Sequence, residues 1–159
     1  MLSGIKKYID YISLSRAQLN GHAICPYAKK FIKDVFIKET DNIENEVKYF
    51  VTNFPENYKV VLVISDYKNH QYKNLVDICD SYQNDKLWLA PDHPNQYNEI
   101  SGIQTNNEHY AMILIQDRQH LTFYSDKLKE TDYYEYWSKD YYDEIVTDRE
   151  MFNMKEKDV

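Results

Sequence analysis

The chain has 159 residues, 43% of them hydrophobic, and a formal net charge of −7. These values are typical of one globular domain, and the negative charge argues against general nucleic-acid binding, which needs basic surface. We see no export signal and no apolar run of the ~20 residues that cross a bilayer. We therefore expect a cytoplasmic protein that does not associate with a membrane.

Helical and strand patterns alternate along most of the chain. In chain order, the predicted elements are a helix at 3–19, one or two helical turns from Pro26, a strand at 34–39, helices at 43–54 and 69–82 on either side of a strand at 59–65, strands at 86–90 and 110–116, and a strand or helix start at 121–125. Asn20-Gly21 is expected to end the first helix, and Asp41 with Glu44 resembles a capping box. The continuous apolar run at 59–65 predicts a central strand covered on both faces.

This alternation indicates an α/β fold. We expect a mixed, partly parallel sheet of four or five strands flanked by helices. The β-α-β-α-β-β portion is also the element order of thioredoxin-like folds. The α/β domain is predicted to cover residues 1–127.

Aromatic and acidic residues dominate the remaining segment, 128–159. Tyr133, Trp137, Tyr141 and Ile145 are spaced by four, which predicts one apolar face of a C-terminal helix. That face either packs on the α/β domain or lies in the groove of a protein partner. The last residues are polar and are expected to be frayed.

Candidate catalytic residues follow two of the predicted strands. Asp66 comes directly after the central strand, and Asp92 with His93 follows the next one. In open α/β sheets, sites form beyond the carboxyl ends of the strands. Prolines near His93 restrict its backbone, which suits a side chain that must be held still.

Cys25 is the candidate nucleophile. It directly precedes Pro26, and the dipole of the turn that begins there, together with the lysines at 29, 30 and 33, would stabilise a thiolate. His93 would then act as the acid or base, and Asp92 or Asp66 would orient it. The alternative is that Cys25, like Cys79, is an ordinary small buried residue.

A metal site is a further alternative. Cys25, His22, His93 and His109 are the residue types that bind a soft metal ion, although their spacing matches no regular zinc motif. The three glycines are too dispersed for a phosphate-binding loop, so no nucleotide or other cofactor is predicted.

Two resemblances rest on short motifs. The segment "CPYA", Cys25–Ala28, resembles the "CPYC" active site of glutaredoxins with its second cysteine replaced, which implies a monothiol redox role. With the His93-Pro94 pair and the segment Asn106–Ile115, it is also similar to an uncharacterised bacterial family, the domain of unknown function numbered fourteen-fifteen, whose blocks read approximately "CPFA" and "FHP". That family implies no known reaction.

Three functional hypotheses follow. The first is a thiol-centred enzyme that uses Cys25 and His93. The second is a non-enzymatic interaction protein that binds a partner through its tyrosine-rich acidic helix. The third is a metal-binding accessory protein.

Overall fold

The computed structural model of the protein describes residues 2–157, with side chains through Phe152. The helices are α1 (Ser3–Ile12), α2 (Ile43–Thr52), α3 (Tyr72–Tyr82), α4 (Arg118–Lys129), α5 (Lys139–Tyr142) and α6 (Asp148–Lys157). The strands are β1 (Val35–Glu39), β2 (Val60–Asp66), β3 (Leu87–Asp92), β4 (Glu99–Ile100), β5 (Ile103–Gln104) and β6 (Tyr110–Asp117). Within residues 2–157, no helix combines the length and the apolar character needed to cross a membrane.

Four strands form a mixed sheet in the order β1-β2-β6-β3, which confirms the predicted α/β class. β1 pairs with β2 in parallel, and β6 lies antiparallel between β2 and β3. The carboxyl ends of β1, β2 and β3 therefore share one edge of the sheet with the start of β6. Asp66 and Asp92 lie at that edge, where Asp66 pairs with Tyr110 and Asp92 pairs with Met112.

One face of the sheet is covered by α2 and α3. Val61 and Val63 of β2 and Ile113 and Ile115 of β6 point into a core that contains Leu75 of α3. Alternate residues of β2, such as Leu62 and Ile64, face the opposite side and pack with α1. This alternation explains why the apolar run of β2 is continuous, because both of its faces are covered.

The C-terminal segment covers part of the second face, but it is not one regular helix. After α4, a 3₁₀ turn at Tyr133–Tyr136 ends in extended backbone at Trp137, and Ser138 caps α5. A π-helical stretch at Asp143–Thr147 joins α5 to α6. The predicted boundary at residue 127 lies inside α4, and the predicted frayed end at 158–159 lies outside the described residues.

Several predicted boundaries were wrong. The first helix ends at Ile12 because the Ile12 carbonyl accepts a 2.9 Å hydrogen bond from the Cys25 N–H, although the predicted turn follows at Asn20, whose φ is 51°. The cap of α2 is Asn42, whose side chain accepts from the Asn45 N–H, rather than Asp41. The loop after β3 contains the short hairpin β4–β5, and the segment at 121–125 belongs to α4.

Candidate functional site

A cavity of about 1000 Å³ lies between the second face of the sheet and the C-terminal segment. Its floor includes Leu62, Met112 and Leu114 of the sheet, and its opposite wall includes Trp137 and Ile145. Most of the lining is aliphatic or aromatic. Charged side chains also line it, among them Lys59, Asp80, Asp117, Glu144 and Asp148. Two groups of buried polar side chains are described below, which we name the Asp92 corner and the Arg149 corner.

The Asp92 corner is built at the carboxyl end of β3. The Asp92 carboxylate is buried, and its Oδ2 atom accepts hydrogen bonds from both the backbone N–H and the side-chain amide of Asn107, at 2.9 and 2.8 Å. The Asn107 Oδ1 atom in turn accepts the N–H groups of His109 and Tyr110. Asn107 therefore fixes the position of Asp92 relative to the start of β6.

Two tyrosines complete this corner, and Thr105 holds both of them. The Tyr8 hydroxyl donates to the Thr105 carbonyl at 2.5 Å, and the Tyr141 hydroxyl lies 3.1 Å from the Thr105 hydroxyl. Tyr8 belongs to α1 and Tyr141 to α5. Elements from the two ends of the chain thus meet at one threonine beside the cavity.

Burial dominates the electrostatics of the Asp92 corner. It raises the pKa of Asp92, against the opposing effect of the Asn107 hydrogen bonds. It also raises the pKa of Tyr8 and Tyr141, to which the charge of Asp92 adds, and it raises the pKa of Tyr72 to about 12. The corner therefore favours neutral hydroxyls beside a carboxyl group that gives up its proton reluctantly.

Cys25 also lines the cavity, and its surroundings favour the neutral thiol. Burial raises its pKa, although the N–H groups of Tyr27 and Ala28 point at the sulfur and oppose the shift. The expected lysine contribution is absent from the described side chains, because Lys29 pairs with Asp10 and Lys30 lies over the Phe31 ring. Residues 26–31 form successive turns rather than an α-helix, so no helix dipole adds to the two N–H groups.

His93 is buried, and backbone groups engage both of its ring nitrogens. Its Nε2 atom lies 2.7 Å from the His70 carbonyl and 3.1 Å from the Tyr67 carbonyl, and its Nδ1 atom accepts the Asn95 N–H. Because carbonyls only accept, Nε2 carries the proton and Nδ1 is the acceptor. His93 is not among the described residues that line the cavity. Its hydrogen bonds instead fix the loop after β3 to the segment at Tyr67 and His70.

The remaining predicted site residues lie apart from the cavity. Asp66 is exposed and accepts the Lys68 N–H. His22 binds Asp132 at 2.6 Å, and His109 is exposed beside Tyr110. In the part of the chain described here, no group of three or more His, Cys, Asp or Glu side chains is arranged to hold a metal ion.

The Arg149 corner lies against α4. Arg149 is 3% exposed, and it lines the cavity with Ser125 and Tyr134. The Ser125 and Tyr134 hydroxyls lie 2.8 Å apart. Burial raises the pKa of Tyr134, and the hydrogen bond with Ser125 and the charge of Arg149 oppose that shift. Burial lowers the pKa of Arg149 itself, since the charged form is the one that loses hydration.

The sequence analysis named Asp92 and Cys25 as site residues and Trp137, Tyr141 and Ile145 as part of one apolar face, and all five line the cavity. It missed Tyr8, Thr105, Arg149 and Asn107, which positions Asp92. Tyr8 is only one aromatic position in an amphipathic helix, and Thr105 and Asn107 look like ordinary residues of a polar loop. Arg149 stands in a highly charged segment. The one available signal was the low number of arginines, Arg16, Arg118 and Arg149, in a chain rich in lysine.

Comparisons with known proteins add no family assignment. No protein-family model matches the chain, and no curated protein or solved structure matches it significantly. The resemblances at Cys25–Ala28 and His93-Pro94 rest on those motifs alone.

Proposed function

We propose that the protein binds a small, largely apolar organic molecule in the cavity between its sheet and its C-terminal segment. The cavity itself is the observation that carries this proposal. Its volume is at the upper end of the 300–1,000 Å³ range that is typical of ligand sites, and most of its lining is aliphatic or aromatic. It also reaches the carboxyl edge of the strands, where α/β proteins bind their ligands.

The Asp92 corner supplies the hydrogen-bonding groups for such a ligand. Tyr8 and Tyr141 are already oriented by Thr105, and Asp92 is oriented by Asn107. Pre-oriented groups lose little side-chain entropy when a ligand arrives. An amide, hydroxyl or amine group of the ligand would match this corner, because it can donate to the carboxyl oxygen.

The hypothesis of a thiol-centred enzyme receives less support. Cys25 lines the same cavity, so a bound molecule would contact its sulfur. However, the raised pKa of Cys25 favours the neutral thiol, and the ring nitrogens of His93 are engaged by backbone groups. The monothiol redox role and the thioredoxin-like arrangement stay predictions, as does the cytoplasmic location.

The partner-binding and metal hypotheses also lack a supporting observation. Tyr133, Trp137 and Tyr141 pack against the protein's own side chains, and Ile145 lines the cavity. The Tyr133 hydroxyl donates to the Ile24 carbonyl, which gives this residue a role within the fold. The predicted metal ligands are dispersed, as described above.

Ligand binding can be tested with the protein's own fluorescence. Trp88 and Trp137 are the two tryptophans, and both line the cavity. We expect the neutral probe N-phenyl-1-naphthylamine to bind with one-to-one saturation, to quench both tryptophans by energy transfer, and to gain fluorescence in the apolar lining. Cys25→Ser should preserve this binding, because the proposal needs no thiolate.

A cavity-filling variant provides the decisive control. Ala90 of β3 lines the cavity, so Ala90→Phe should reduce probe binding, whereas Ala17→Phe at an exposed position should not. Circular dichroism and thermal melting would establish that both variants are folded. Equal probe binding by the two folded variants, or no saturable binding by the unmodified protein, would refute the proposal.

A further inference from the structure

Arg149 is a buried cation that forms no ion pair with the side chains described through Phe152. Its Nε atom has no hydrogen-bond partner, and among the described residues no carboxylate lies within 4 Å of its guanidinium. Arg149 is only 3% exposed, and it lines the cavity. An unpaired buried charge is costly, and a ligand that supplies the opposite charge would offset that cost.

The two carboxylates whose charges act on Arg149 are paired with another residue. Asp126 of α4 and Glu150 of α6 both contribute to the field at the guanidinium, but each forms an ion pair with Lys129. The other groups that influence Arg149 are the hydroxyls of Tyr134 and Tyr142. Neutral hydroxyls donate and accept hydrogen bonds, but they do not neutralise a cation.

The polar groups around Arg149 match the requirements of an anion. The guanidinium presents N–H donors in a planar fork, which suits the two oxygens of a carboxylate or phosphate. The Ser125 and Tyr134 hydroxyls line the same cavity, lie 2.8 Å from each other and can donate hydrogen bonds to an anionic group. The π-helical stretch at Asp143–Thr147 directly precedes α6, and such stretches frequently occur at functional sites.

We propose that Arg149, assisted by Ser125 and Tyr134, binds the carboxylate or phosphate group of the ligand whose apolar part fills the cavity. This inference rests on the proposed ligand-binding function and specifies the ligand class as an anionic amphiphile. Three acyl or alkyl compounds of matched chain length separate charge from shape: decanoate, decyl phosphate and neutral decanamide. Each would displace N-phenyl-1-naphthylamine in a competition titration.

We expect decanoate, decyl phosphate or both to bind about tenfold more tightly than decanamide, the size of one charge-assisted hydrogen bond. The affinity ratio of the two anions assigns the head group to the carboxylate or the phosphate class. Arg149→Gln should abolish the preference over decanamide, and Arg149→Lys should keep part of it. Arg16→Gln removes the same charge from a residue outside the cavity lining and should leave the preference intact.

A measurement without ligand addresses the possibility that Arg149 is only structural. If the charge has no partner within the chain, Arg149→Met should leave the melting temperature unchanged or raise it, because an apolar side chain suits the apolar lining. A melting temperature lowered by several degrees would overturn the inference, since it would mean that the chain already compensates the guanidinium.

The outcomes separate the two proposals. If the probe does not bind at all, the ligand-binding function itself fails. If the probe binds but the anions and decanamide compete equally, or if Arg149→Gln leaves their ratio unchanged, the anion site fails while the cavity function survives. Should Arg149→Gln be unfolded, Tyr134→Phe takes its place, and we expect it to weaken anion binding more than decanamide binding.

Discussion

The two faces of the sheet are covered in different ways. On the α2–α3 face, Val63, Leu75 and Ile113 are completely buried in an aliphatic core. On the opposite face, α1 covers one part, and the C-terminal segment leaves a cavity of about 1000 Å³ over the rest. The difference indicates a division of roles, in which the first face stabilises the fold and the second is available for a ligand.

The same division appears in the polar residues. The buried side chains Asp92, Arg149 and Ser125 all lie on the cavity side, together with the tyrosines that contact them. Buried polar groups cost stability unless they are hydrogen-bonded. On the α2–α3 face the buried Ser65 hydroxyl is hydrogen-bonded to His70, whereas Arg149 on the cavity face has an unsatisfied Nε atom. Substitutions on the two faces should therefore have different effects.

The largest difference in stability loss between the two faces is expected when a leucine on each face is replaced by alanine. Leu75 is fully buried in the α2–α3 core, so Leu75→Ala should lower the free energy of unfolding by about 3 kcal/mol. Leu114 already borders the cavity, and Leu114→Ala should cost only about 1 kcal/mol because fewer contacts are lost. Urea unfolding monitored by circular dichroism measures both values. Equal losses would mean that the cavity face is as tightly packed as the other.

A smaller loss is expected at Asn107. Its side chain accepts the His109 and Tyr110 N–H groups and donates to Asp92, so Asn107→Ala leaves buried polar groups without partners. We expect a loss of about 2 kcal/mol in urea unfolding. Asn95→Ala is the matched control, because Asn95 is exposed and uses its backbone N–H to bind His93. If Asn107→Ala lost no more unfolding free energy than Asn95→Ala, the proposal that Asn107 positions Asp92 would be wrong.

The strands of the main sheet could be predicted from the sequence because apolar runs buried on both faces have few alternatives. β2 and β6 lie within a residue or so of the predicted ranges. The predicted first helix was too long because Leu19 continues the helical spacing of apolar residues beyond Ile12. A tertiary hydrogen bond from Cys25 ends that helix, and no local pattern reports such a bond.

The candidate site could be predicted only in part, for a similar reason. Asp92 lines the cavity because strand direction places it at the expected edge of the sheet. His93 directly follows Asp92 in the sequence, but its ring is hydrogen-bonded to the carbonyls of Tyr67 and His70, which lie more than twenty residues earlier in the chain. The burial of Arg149 could not be predicted from the sequence, because a highly charged helix is expected to be exposed to solvent. Only the tertiary structure buries this side chain.

Asp92→Asn tests the cost of a buried carboxylate through its pH dependence. Burial raises the pKa of Asp92 in the folded protein, whereas in the unfolded chain the group ionises near its ordinary value of ~3.9. The folded state therefore holds more protons between these two pKa values, and its stability falls as the pH rises through that window. Asparagine does not ionise, so the variant should gain stability relative to the unmodified protein over the same window.

The substitution removes the charge and keeps an acceptor for both Asn107 donors, because these donors bind one oxygen of Asp92, which the amide oxygen of asparagine can replace. Urea unfolding from acid to neutral pH would measure the difference. Asp66→Asn provides the control, since Asp66 ends the neighbouring strand but is exposed. A stability difference for Asp92→Asn that does not change with pH would contradict the assigned cause.

The smallest effect is expected at Asp132, where the two ends of the chain meet on the surface. Its carboxylate binds His22, Asn20 and Tyr136, and the hydrogen bond to His22 is the main cause of its lowered pKa. A lowered pKa contributes stability above the unfolded value of ~3.9, and that stability is lost as the pH falls through the folded pKa. Asp132→Asn should therefore lower the melting temperature slightly at neutral pH and not at strongly acidic pH. Exposed ion pairs contribute little, so a large loss would mean that this contact holds the C-terminal segment over the cavity.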